Sequence, residues 1–146
     1  MMVREYDPRD SERLYEIICS SLEESYKPEI LSYFHLQWPK GQLVVCDFTG
    51  RPVGFVSASK ISSSHARIML FVVDRDHRSM GLGSKLLIHL RHVAMMNGIN
   101  RISLEVRQSN MRAINFYKRH GFVPTEVFRM YYNDGADAVG MDLILS

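Results

Sequence analysis

The chain has 146 residues, enough for one domain with a real hydrophobic core. Apolar residues make up 46% and charged residues 23%, which argues against disorder, and a net charge of +2 without a basic run gives no support for nucleic-acid binding. The amino terminus has no apolar signal region and no apolar stretch approaches the ~20 residues that span a bilayer, so the chain reads as soluble and cytoplasmic, with no membrane partner. Val3 to Tyr6 is expected to form a short first strand. Asp10 or Ser11 caps a helix whose apolar face is Leu14, Ile17, Ile18 and Leu22. Lys27-Pro28 starts a second helix through Ile30, Leu31 and Phe34, stopped by Trp38-Pro39. Leu43 to Phe48 and Val53 to Ile61 read as strands joined by Thr49-Gly50-Arg51-Pro52, a hairpin signal. The two cysteines make neither a disulfide framework nor a metal cluster. Cys19 falls in a helical apolar pattern and Cys46 in a strand, so both read as small core residues.

Ile68 to Val73 is a short apolar run rich in β-branched residues, the pattern of a buried strand. Charged residues, Gly81 and Gly83 interrupt it, and Leu82, Leu86, Leu90, Val93 and Ala94 then recur at helical spacing as far as Asn97-Gly98. Arg101 to Arg107 is a strand with Ile102, Leu104 and Val106 facing one way and Ser103, Glu105 and Arg107 the other. Asn110 caps a helix carrying Ala113, Ile114, Phe116 and Tyr117, which ends at Gly121. Phe122 to Tyr132 and Ala138 to Leu145 close the sheet as a last pair. The order β-α-α-β-β-β-α-β-α-β-β has no internal repeat and no linker, so residues 1–146 read as one α/β domain.

The strand, glycine-bearing loop and helix of residues 68–87 carry the chemistry. Such a loop aligns unpaired N–H groups at a helix N-terminus, where the dipole also favours negative charge. Glycines let that backbone approach a ligand with no Cβ in the way. A Walker loop needs a Gly-Lys-Ser/Thr ending, and Gly83-Ser84-Lys85 has the wrong order. A dinucleotide fingerprint needs a third glycine, and Ser84, Lys85 and Leu86 supply none. What remains is Arg78-Ser79-Met80-Gly81-Leu82-Gly83, which resembles the acetyl-CoA pyrophosphate loop of the GNAT superfamily of N-acetyltransferases. The element order is also that of the GNAT fold, a mixed, mostly antiparallel sheet flanked by helices.

Leu104 to Phe122 resembles the second signature of that superfamily, in the Leu-Glu-Val-Arg form of RimI-type enzymes and protein N-alpha-acetyltransferases. Met130-Tyr-Tyr-Asn-Asp-Gly-Ala-Asp-Ala-Val-Gly-Met141 is similar to a segment of the catalytic subunits of N-alpha-acetyltransferase A complexes. Leu22-Glu-Glu-Ser-Tyr26, with Trp38-Pro39 after it, resembles their substrate loop, although Glu23 and Ser25 replace a proline and an asparagine. The resemblance covers nearly the whole chain and implies a compact, archaeal-type member. It implies transfer of an acetyl group from acetyl-CoA to the α-amino group of a protein or peptide N-terminus, by direct attack in a ternary complex, with ribosome association allowed.

Acetyl transfer from a thioester to an amine needs a neutral amine, a stabilised oxyanion and a proton for the leaving thiolate. A carboxylate relaying through water suffices for an α-amine of pKa about 8, which is roughly a tenth neutral at pH 7. Glu105 is the candidate base, and on pattern alone it reads equally as a polar residue of an alternating strand. Tyr117, one helix face along from Asn110, is either a core aromatic or the acid that protonates the thiolate. The resemblance assigns both to catalysis and Asn110 to the pantetheine arm. It also assigns the N–H groups of Phe71 and Val73 to the oxyanion, and Arg78, Ser79, Met80, Gly81, Leu82, Gly83 and Ser84 to the pyrophosphate. Glu24 and Tyr26 on one side and Tyr131 and Tyr132 on the other would wall the peptide N-terminus. The six histidines show no ligand spacing, so no metal is expected. Two other readings compete: a GNAT acting on lysine or a small amine, and a module that binds acyl-CoA without turnover.

Overall fold

The structure is a computed structural model that describes residues 1–145. Its seven strands are β1 (Met2–Glu5), β2 (Gln42–Cys46), β3 (Pro52–Lys60), β4 (His65–Val73), β5 (Arg101–Arg107), β6 (Val123–Phe128) and β7 (Ala138–Ile144). Four helices accompany them: α1 (Ser11–Ser21), α2 (Ile30–Gln37), α3 (Leu82–Met96) and α4 (Met111–Arg119). The strands form one sheet in the order β1-β2-β3-β4-β5-β7-β6, antiparallel except between β4 and β5. The chain order is the one its patterns predict.

Burial divides the core between the two faces of this sheet. Leu14, Ile17 and Ile18 of α1 and Leu31 and Phe34 of α2 pack with Phe55, Leu70 and Val72 on one face. Leu82, Leu86 and Leu90 of α3, with Ile114 and Tyr117 of α4, pack on Val56, Ile68, Leu104 and Met141 on the other. β4 therefore needs apolar residues on both faces, which is why its sequence is a continuous apolar run. Ile68 and Leu70 face opposite helices because β4 carries a bulge: Ser57 pairs with Leu70 and Ala58 with Ile68, leaving Met69 as the extra residue.

Beside this bulge the sheet opens. The parallel pairing of β4 with β5 covers His65–Arg67 against Arg101–Ser103, and the strands part beyond it. The gap lies where the glycine loop begins.

Several local expectations are corrected. β1 ends at Glu5, although Tyr6 N–H still donates to Gln42 O at 2.8 Å. Asp10 stands at the N-cap of α1 but accepts no capping bond from it. Its carboxylate instead accepts from Arg4 Nη1 and Nη2 at 2.7 and 2.9 Å and from Asp7 N–H at 2.9 Å. Burial alone would raise its pKa, and these donors hold it below the ordinary carboxylate range. α2 starts at Ile30, because Lys27 to Glu29 form a turn closed by Ile30 N–H on Lys27 O at 3.0 Å. β4 begins at His65, three residues before the apolar run, which places Arg67 inside the strand. Cys46 is buried but Cys19 is exposed, since it lies one residue, about 100°, around the helix from Ile18. β6 stops at Phe128, so Tyr131 and Tyr132 sit in a turn and not on a strand pair. That turn begins with Met130 at φ 52° and its N–H bonded to Asp137 Oδ1 at 2.8 Å.

Candidate active site

A cleft of about 610 Å³ opens at the gap between β4 and β5. Its floor is the end of β4, and Phe71 and Val73 line it. Asp74 N–H donates to Val53 O of β3 at 2.7 Å. Because N–H groups alternate sides along a strand, those of Phe71 and Val73 turn away from β3 and into the gap. One wall is the loop and first turn of α3, with Arg78, Ser79, Gly81, Leu82, Gly83 and Ser84. The other is α4, with Asn110, Ala113, Phe116 and Tyr117. Asn110 Oδ1 accepts from Ala113 N–H at 3.1 Å and so caps the helix, the role its sequence position predicts. Met80 does not join this group: its side chain is exposed and lies outside the cleft lining.

The loop owes its shape to two left-handed residues, Ser79 at φ 66° and Gly81 at φ 77°. Gly81 is the N-cap of α3, and a left-handed backbone there is strained for any residue with a Cβ. Gly83 lies on the cleft wall without a left-handed backbone. A Cβ at Gly83 would stand 3.4 Å from both the Phe116 and the Phe71 rings, on the cleft wall.

Charge around this cleft is positive. Arg112 and Arg119 join Arg78 and His77 in lining it, two cations that the sequence patterns did not single out. His120 is a further neighbour, with Nε2 2.9 Å from Ser84 Oγ and its ring centroid 4.9 Å from that of Phe116. Burial, then Arg91 and Arg119, push its pKa below the ordinary histidine value.

At the inner end Tyr117 is 8% exposed, its ring edge-on to Phe71, Phe116 and Phe122. Burial pushes its pKa well above the ordinary phenol value, and the neighbouring Tyr132 adds to the shift. Tyr117 therefore keeps its proton at neutral pH. Tyr132 is pushed up to about 12 by burial, then by Glu24 and Tyr131.

Glu105 faces the other side of β5, and Arg67 Nε donates to its Oε1 at 2.7 Å. Tyr131 hydroxyl accepts from Arg67 Nη2 at 2.8 Å and donates to the same Glu105 oxygen at 3.2 Å. Glu24 lies near Tyr132 and Asp134, joined to both through Arg107. Glu24 and Tyr131 both contribute to raising the pKa of Tyr26, after burial. Tyr131 and Tyr132 stand edge to face with centroids 5.0 Å apart. Arg107 links the two sides: its Nη2 and Nε donate to Glu24 Oε1 at 2.6 and 3.0 Å, and Nη1 to Asp134 Oδ2 at 2.9 Å. Contact with Glu24 raises its pKa above the ordinary arginine value.

Arg67 and Arg107 are the residues that pattern reading passed over. Arg67 shares a strand face with His65, and Arg107 one with Glu105, but the pairing of either arginine with its carboxylate leaves no local signal. Among the described residues no group of three or more histidine, cysteine, aspartate or glutamate side chains could hold a metal ion, and no helix is long and apolar enough to cross a membrane.

The fold, the glycine loop and the cleft together define an acetyltransferase domain. Residues 11–122 match the model of the Acetyltransferase (GNAT) family, and the chain belongs to that family. It is 36% identical over 127 residues to the N-terminal acetyltransferase A complex catalytic subunit NAA10 of Arabidopsis thaliana, covering 82% of this chain and 65% of that protein. The chain thus spans slightly less than two thirds of that relative. Its fold is similar to the crystal structure of Ard1 from Thermoplasma volcanium, with a TM-score of 0.96 and 38% identity over 99% of this chain and 97% of that one. A crystal structure of Chaetomium thermophilum Naa20 in complex with a bisubstrate analogue has a TM-score of 0.89 and 26% identity, covering 99% and 87% of the two chains.

Proposed function

We propose that this protein transfers the acetyl group of acetyl-CoA to the α-amino group of a protein or peptide N-terminus. The observation that carries this reading is the two-walled entrance beside the cleft. Glu24, two residues before Tyr26, lies across from Asp134 and Tyr132, and a single arginine ties the sides together. In this reading a two-sided entrance favours a chain end over a lysine held between two flanking segments. A module that only binds acyl-CoA has no use for these walls, nor for a protonated phenol at the inner end of the cleft.

The cleft fits acetyl-CoA: open N–H groups and three arginines suit its phosphates, and Phe71, Phe116 and Ala113 suit the arm that ends in the thioester. When bound, acetyl-CoA supplies an activated acetyl group. Phe71 and Val73 N–H groups stabilise negative charge on the acetyl oxygen. Glu105, held by Arg67 and Tyr131, takes the proton of the amine through water. Tyr117 gives its proton to the leaving sulfur. Protein N-termini are the partners in this reading, and the ribosome is where such chain ends emerge.

The test is competition at pH 7.5 between a peptide with a free N-terminus and one with a blocked N-terminus and an internal lysine, products separated by mass. At pH 7 an α-amine is about a tenth neutral and a lysine under one part in a thousand, so chemistry alone favours the first by roughly 100-fold. Equal rates, or faster lysine modification, overturn the N-terminal reading in favour of a lysine or small-amine GNAT.

Glu105→Gln is expected to lower kcat/KM most at low pH, where the neutral amine is scarcest. An α-amine loses about tenfold in neutral fraction between pH 7 and 6, and the variant's profile should steepen there. A profile parallel to that of the unsubstituted protein removes Glu105 from proton transfer.

A further inference from the structure

Arg107 ends the Leu-Glu-Val-Arg run, yet the reaction as drawn leaves it without a task. It is the last residue of β5, paired in register with Ala138 of β7, and its side chain is only 16% exposed. Besides Glu24, its Nε lies 2.9 Å from Glu23 Oε2. The guanidinium carbon stands 4.3 Å over the Tyr132 ring. Glu23 and Glu24 belong to the segment after α1, and Tyr132 and Asp134 to the turn between β6 and β7. Neither segment is a helix or a strand, so no repeating backbone ladder holds either in place.

We infer that Arg107 is the positioning residue of the acceptor site: by holding Glu23 and Glu24 on one side and Asp134 and Tyr132 on the other, it sets the width of the entrance through which the amine arrives. The inference rests on the N-terminal reading of this site. Exposed single ion pairs contribute little. Arg107 is different, because one planar guanidinium offers five N–H donors in a fixed fork and a face that stacks on an aromatic ring. A lysine ammonium keeps the charge but cannot hold three carboxylates and a ring in that geometry. Ordering two irregular segments costs conformational entropy, and a substrate meeting slack walls must supply that ordering itself. The deficit therefore falls on acceptor binding.

Steady-state kinetics of Arg107→Lys, Arg107→Ala, Glu24→Ala and the Arg107→Ala/Glu24→Ala pair test this, with acetyl-CoA affinity measured by calorimetry. The peptide KM is expected to rise about tenfold or more in each single variant, while kcat and coenzyme affinity stay within about twofold. The double variant should be no worse than the worse single one, because both act through one contact. Arg107→Lys with an unchanged peptide KM overturns the assignment. So do multiplicative effects in the double variant, or an equal loss of coenzyme affinity. Thermal melts monitor the fold, and if Arg107→Ala does not fold, Arg107→Lys and Asp134→Asn carry the test alone. Rates are read on whichever amine the protein accepts. A preference for lysine then defeats the N-terminal reading alone, and a KM indifferent to Arg107 defeats the positioning role alone.

Discussion

Tyr117→Phe is expected to lower kcat by about 100-fold and to leave acetyl-CoA affinity within about twofold. The substitution deletes one oxygen from a ring already wedged against Phe71, Phe116 and Phe122, so the packing of α4 survives. What it deletes is the hydroxyl proposed to protonate the leaving sulfur. Burial raises the Tyr117 pKa, with Tyr132 adding to the shift, so the protonated form persists to higher pH than for an ordinary phenol. A general acid acts in the transition state, hence the loss in kcat and not in coenzyme binding. The same shift fixes the sign of the pH dependence. An unperturbed tyrosine loses its proton at about pH 10. Here kcat should show no fall at that pH attributable to the acid. Rates from pH 7 to about 10.5 check this, and a Tyr117→Phe variant with the unsubstituted rate removes the acid.

Gly83→Val should cost acetyl-CoA about ten- to a hundredfold in affinity while the protein stays folded, as calorimetry and a thermal melt would read. Gly83 carries no left-handed backbone, so the loss is not one of conformational strain. A Cβ there stands 3.4 Å from both the Phe71 and Phe116 rings, and the two further methyl groups of valine must push those rings or enter the cleft. Overpacking of this kind costs about 1–3 kcal/mol. The strain falls on the cleft wall, where the proposed function places acetyl-CoA. Unchanged affinity in a folded variant would remove this turn from the coenzyme site.

Arg67 and Arg107 show where pattern reading stops. Local pattern left Glu105 open between a strand residue and a base, and Tyr117 open between a core aromatic and an acid; only the resemblance to protein N-alpha-acetyltransferases singled them out. Arg67 lies 38 residues from its partner Glu105, and Arg107 lies 83 from Glu24. No local pattern records such pairs. They depend on the parallel register of β4 with β5 and on where the segment after α1 comes to rest.

Taken by itself, the sequence determined the element order and the glycine loop at the head of α3. Each is a matter of neighbours within a few positions: period two in strands, period 3.6 in helices, a cap, or a glycine that tolerates a left-handed turn. Only the tertiary structure decided that Met69 is the bulged residue and that β4 and β5 part beyond Arg67. It alone turned Met80 outward, exposed Cys19 and moved Tyr131 and Tyr132 from a strand into a turn. The reason is physical. A strand's register and a loop's resting place are set by burial and ion pairing between segments far apart in the chain, and those energies exist only once the segments meet.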